Sequence, residues 1–73
     1  MILNKDTINE IFTYHSPTPT QIPQYETIRN AAKEFAMILI DNTPRSADQS
    51  AAIRHLREAV MTANAAIALQ GLI

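Results

Sequence analysis

Cysteine is absent from this 73-residue chain, which excludes disulfides and thiolate metal sites alike. The absence agrees with a reducing compartment. Imidazole is scarce too, since the two histidines, His15 and His55, stand far apart in sequence. Cations are few and scattered: six Lys and Arg face seven Asp and Glu, for a net charge of −1. No basic patch of the kind that drives sequence-independent nucleic-acid binding is present. No apolar run approaches the roughly 20 residues needed to span a bilayer. The start, MILNKDTINEI, carries Asp6 and Glu10 and no cleavage-site pattern, so it does not read as a signal peptide. The expectation is a soluble intracellular protein that engages neither a nucleic-acid polymer nor a membrane.

Shortness has its own consequence. Domains of this size bury only about 60 % of their unfolded surface, so a monomer is marginal. With disulfides excluded and metal ligands scarce, self-association is the favoured rescue.

What is present is helical periodicity. Residues 46–69 read SADQSAAIRHLREAVMTANAAIAL. Ser46 with Gln49 three residues later fits a capping box, in which each side chain satisfies an unpaired amide of the first turn. Ile53, Leu56, Val60, Ala63 and Ile67 then recur in a 3-4-3-4 rhythm on one stripe. No Gly or Pro interrupts the run before Gly71, which suits the position past a helix end. The expected helix covers 46–70. A second face carries Ala52, Ala59 and Ala66, flanked by Thr62 and Leu69. Small residues there permit close helix–helix approach, and a second subunit is the expected occupant. The plainer reading is that Ala is simply the best helix former.

Upstream, residues 24–41 repeat the rhythm through Tyr25, Ile28, Ala32, Phe35 and Leu39. The last turn, Met37-Ile38-Leu39-Ile40, is apolar all round and calls for cover from two directions. Asp41-Asn42-Thr43-Pro44 breaks the helix, and a break this short folds the two long helices back antiparallel. Residues 3–12 predict a short amphipathic helix with Leu3, Ile8, Ile11 and Phe12 on one face, capped by Asn4 or Asp6. Between them, Pro17, Pro19 and Pro23 make 13–23 an extended, stiff loop. The fold expected is all-α: a single domain built as an antiparallel helical hairpin with a short N-terminal helix, assembled as a homo-oligomer.

Chemistry points to binding rather than catalysis. No phosphate-loop, zinc or hydrolase motif is present, no acidic partner stands in register with His15 or His55, and no cofactor is implied. Tyr14 and His15, by contrast, sit at the head of a proline-stiffened loop, where an exposed ring can stack on another ring. Arg29 and Lys33, one turn apart, can contact phosphate as a planar fork and a point charge. The alternative is that Tyr14 packs on the hairpin while Arg29 pairs with Glu26. The residues themselves leave both readings open.

The segments FTYHSPTP, IRNAAKEFA, TPRS and above all REAVMTANAAIA resemble a family of small phage proteins. This is the anti-CBASS and anti-Thoeris sponge hairpin domain, and the resemblance covers about residues 11–69. It implies a non-enzymatic protein acting in the cytoplasm of an infected bacterium, where it sequesters cyclic nucleotide immune signals without degrading them. The ligand classes implied are cyclic dinucleotides, cyclic trinucleotides and glycocyclic ADP-ribose. The family's assembly implies a homohexamer made of dimers, with pockets between subunits. Its base-stacking aromatic falls on Tyr14 and its phosphate-contacting cation on Arg29, where Arg replaces the more familiar Lys. Its cyclic-trinucleotide Arg falls on Ala65, a departure from the family pattern. His15, Lys33 and Asn64 are added as ligand-binding candidates from proximity. The competing function is a small helical module that docks on a host protein through its Ala-rich or Met37–Ile40 face.

Overall fold

The computed structural model describes residues 3–72, which form the helices α1 (Lys5–Ile11), α2 (Gln21–Asn42) and α3 (Ala47–Ala68). There is no strand among the described residues. Each long helix has 22 residues, or about 33 Å at 1.5 Å per residue. They pack antiparallel as the expected hairpin.

Local chemistry sets each boundary. Asn4 caps α1: its Oδ1 accepts from the Thr7 amide at 3.0 Å, and Thr7 Oγ1 accepts from the Asn4 amide at 2.8 Å. The start of α2 differs from expectation, because 13–23 is not all loop. Thr18 Oγ1 accepts from the Gln21 amide at 3.2 Å, and Gln21 Oε1 accepts from the Thr18 amide at 3.0 Å. This is a capping box over Thr18-Pro19-Thr20-Gln21, with Pro19 in the first-turn position that suits its fixed φ. Pro23 lies within the opening turns, where a missing amide is tolerated. α2 therefore begins at Gln21, ahead of the expected residue 24. Its other end has no glycine. Instead Asn42 Nδ2 donates to the Ile38 carbonyl at 2.8 Å, and Thr43 Oγ1 donates to that of Leu39 at 2.6 Å.

Ser46 caps α3 as its spacing predicts, accepting from the Gln49 amide at 3.1 Å. The reciprocal half of that box is not made. The Gln49 side chain reaches back instead to the Thr43 carbonyl and hydroxyl, both at 3.1 Å, and ties the turn shut. At the far end Gln21 Nε2 donates to the Ile67 carbonyl at 3.1 Å. Both ends of the hairpin are thus latched by a glutamine.

α3 closes in a Schellman arrangement. The Gly71 amide donates to Ala66 and the Gln70 amide to Ile67, each at 3.1 Å. Gly71 has φ +75°, yet Gln70 also holds a left-handed φ of +51°. A side chain in that region is unfavourable by roughly 1 kcal/mol. Replacing Gln70 by glycine should therefore raise stability by about 0.5–1 kcal/mol. A higher urea midpoint for Gln70→Gly checks this; an unchanged or lower one contradicts it.

The predicted α3 stripe of Ile53, Leu56, Val60, Ala63 and Ile67 is half-buried throughout. On α2 the half-buried positions are Gln21, Tyr25, Ile28, Ala32, Ala36 and Leu39. Phe35, read as part of that stripe, is instead 50 % exposed, and Ala36 takes the inward place. Small residues at the seam let the axes approach, and the bulky ring is displaced to the flank. No described residue is buried outright. The accessible surface is 5909 Å², against about 4,500 Å² for a compact monomer of this mass. The radius of gyration is 15.5 Å, against about 11 Å for a compact domain of this length. The hairpin is an elongated frame without an interior of its own.

α1 packs against neither long helix. Ile8 is exposed on it and Leu3 and Phe12 are exposed beside its ends, and so are Met37, Ile38 and Ile40 at the far end of α2. A seven-residue helix carrying exposed apolar side chains and no partner surface is marginal in water.

Candidate functional site

One side of the hairpin seam forms a groove with a volume of about 280 Å³, near the lower end of small-ligand sites. Its floor is apolar, including Ile53, Leu56, Val60 and Met61. Arg29 and Lys33 line it from α2, and Arg57 lines it from α3. None of the three forms an ion pair with a described residue, and no acidic side chain lines the groove. Arg29 is not paired with Glu26, so that open reading falls away.

Sequence periodicity brought out Arg29 and Lys33 but passed over Arg57. The missing signal is tertiary register. Gln21 beside Ile67 at one end and Thr43 beside Gln49 at the other set Lys33 about level with Arg57.

The other candidates lie elsewhere. Tyr14 is 82 % exposed on the loop after α1, so it does not pack on the hairpin. His15 follows it but turns back, its Nε2–H donating to the Glu10 carbonyl at 2.8 Å, with the Glu10 carboxylate at 3.8 Å. That contact adds a side-chain bond to the end of α1. Neither residue lines the groove of Arg29 and Lys33. Asn64 sits on α3, where its buried Oδ1 accepts no hydrogen bond from any described residue. An acceptor left so costs about 1–3 kcal/mol. His55 is exposed, 3.6 Å from Glu58 one turn on, so contrary to the sequence reading each histidine has an acidic neighbour. Among the described residues no three His, Cys, Asp or Glu side chains gather in a way that could hold a metal.

The opposite side of the seam contrasts in charge. Ile28, Ala31, Phe35, Ala59 and Ala63 line a groove there with no charged or polar side chain. The two sides therefore have different chemistry: one offers only apolar contact, the other apolar contact between cations. Among the described residues no hydroxyl, carboxylate or imidazole lines the cationic groove, which offers charge and apolar surface. Among the described residues no helix is long and apolar enough to cross a membrane.

The family model described as Acb2/Tad1, hairpin domain, matches residues 4–68, nearly the whole chain. Neither the curated proteins nor the solved structures gave a match. The chain belongs to the Acb2/Tad1 hairpin family, the anti-CBASS and anti-Thoeris sponges.

Proposed function

We propose that this protein captures a cyclic nucleotide second messenger of bacterial CBASS or Thoeris defence and holds it uncleaved, as a phage protein in the host cytoplasm. Cyclic dinucleotides, cyclic trinucleotides and glycocyclic ADP-ribose are the candidate ligands. The observation that carries the reading is the cationic groove: it has unpaired charge for phosphate and an apolar floor for a ring. Arg29 and Lys33 hold phosphate, and Tyr14 stacks on a base. His15, tied to α1, has a smaller part.

Capture requires assembly in this reading. An apolar groove through Phe35 and Ala59, together with exposed Met37, Ile38 and Ile40, leaves the lone hairpin short of buried surface. A second copy covers these faces, and a homohexamer made of dimers, six chains in all, is the proposed state. The loop carrying Tyr14 follows a helix that does not touch its own hairpin, so Tyr14 meets the groove of a neighbouring copy. A neighbour also supplies the donor that Asn64 lacks.

Sequestration is stoichiometric, so a tightly held ligand must return unchanged. Incubating the protein with a cyclic nucleotide panel, then heating it and identifying what is released, tests this. Intact ligand is expected. Recovery of a cleaved product would refute sequestration.

A further inference from the structure

We propose that Arg57 is a third phosphate-contacting cation and that it makes the groove selective for ligands with two separated phosphates. This rests on the proposed capture function and specifies the site's charge requirement. Arg29 and Lys33 stand on one wall, four residues and so about 6 Å apart along α2. Arg57 stands on the other wall, on α3, with Leu56 and Val60 in the floor between. Axes of packed helices lie about 8–10 Å apart, so the two walls are separate binding points.

A ligand with one phosphate can neutralise one wall and leaves the other cation uncompensated over an apolar floor. A ligand with two phosphates meets both walls while its ring or sugar covers Leu56 and Val60. The described residues supply no counter-charge. Glu58, the acid next to Arg57, lies 3.6 Å from His55, and no Asp or Glu lines the groove. Arg57 is the only charged side chain that α3 brings to it.

The test compares cyclic GMP–AMP and cyclic di-AMP, whose two phosphates are separated by sugars, with glycocyclic ADP-ribose, whose two phosphates are joined as one diphosphate, and with 3′,5′-cyclic AMP, which carries one. Calorimetry on the assembled protein measures wild type, Arg57→Ala, Arg57→Lys and the control Arg54→Ala, an exposed α3 cation outside the groove. Wild type should prefer a two-phosphate ligand, and Arg57→Ala should weaken it roughly 10- to 100-fold. Arg57→Lys should recover most of the loss, and Arg54→Ala should change nothing. Any binding of 3′,5′-cyclic AMP should be unaffected by Arg57→Ala.

If wild type holds a two-phosphate ligand and Arg57→Ala binds it equally well, this assignment is wrong while the capture function stands. If Arg57→Ala instead breaks the assembly, acids of a neighbouring copy fill the groove and the assignment also fails. If wild type binds none of these ligands, both readings fall together.

Discussion

Replacing Ala59 by glutamate should abolish assembly while changing the lone hairpin very little. Ala59 is exposed in the single chain, on the flank of α3. There an Ala to Glu change costs only a few tenths of a kcal/mol in helix propensity. It also lines the uncharged groove beside Phe35. Covering that groove with another copy would bury each new carboxylate without a partner, at several kcal/mol per ion. The cost recurs at every copy of the contact. Because no described residue is fully buried in the single chain, loss of assembly should carry most of the stability with it. Light scattering coupled to gel filtration should show a species near the monomer mass of 8.1 kDa, and the cooperative thermal transition should disappear. A variant that keeps the wild-type mass and melting point would place the subunit contact elsewhere. Phe35→Ala should act in the same direction more mildly, by removing apolar contact rather than adding charge.

The second large effect is expected from Tyr14→Ala combined with Arg29→Ala. Neither side chain has a hydrogen-bond or ion-pair partner to lose among the described residues, and both are exposed. Surface changes of this kind usually fall within about 0.5 kcal/mol of neutral. Ligand affinity is another matter. A base stacked on an aromatic ring is worth about 1–3 kcal/mol, and a hydrogen bond to a charged group about 1.5–3 kcal/mol. Together they predict a loss of roughly 10²- to 10⁴-fold in affinity. Circular dichroism and assembly mass should stay as in wild type. A docking module for a host protein would show the opposite, with partner binding indifferent to both changes. Arg29→Lys should fall between, keeping charge while losing the planar fork.

Much of the frame was legible because two periodic stripes and a short break dictate a hairpin. Ser46 and the run from Ile53 to Ile67 mark the beginning and inner face of α3 from residue type alone. The misreadings came where local chemistry has two outcomes. Pro23 suited the first turn of the next helix, as found, but the prolines before it suggested loop where Thr18 and Gln21 exchange capping bonds around Pro19. Phe35 and Ala36 compete for one inward place, and a spacing rule favours the larger side chain. Close axial approach favours the smaller. Gln70 gave no sign of its left-handed backbone, because Gly71 next to it was the more natural holder of that conformation.

The candidate site was legible only one helix at a time. Arg29 and Lys33 share a face that helical spacing reveals. Arg57 joins them through the register between two helices, which the Gln21 and Gln49 latches determine and single-helix periodicity does not. His15 stood next to Tyr14 and so looked like a stacking partner, but its ring donates to the Glu10 carbonyl at the end of α1. Charge that has no partner, rather than any motif, is what separates the cationic side of the seam from its uncharged opposite.

Native mass spectrometry of the protein loaded with a two-phosphate cyclic nucleotide tests the central claim most directly, since it weighs assembly and ligand together. The account predicts a multimer of the 8.1 kDa chain, six copies in the proposed state, carrying whole ligands at a fixed number per assembly. A lone chain without ligand, or an assembly carrying only the mass of a hydrolysed product, would contradict it.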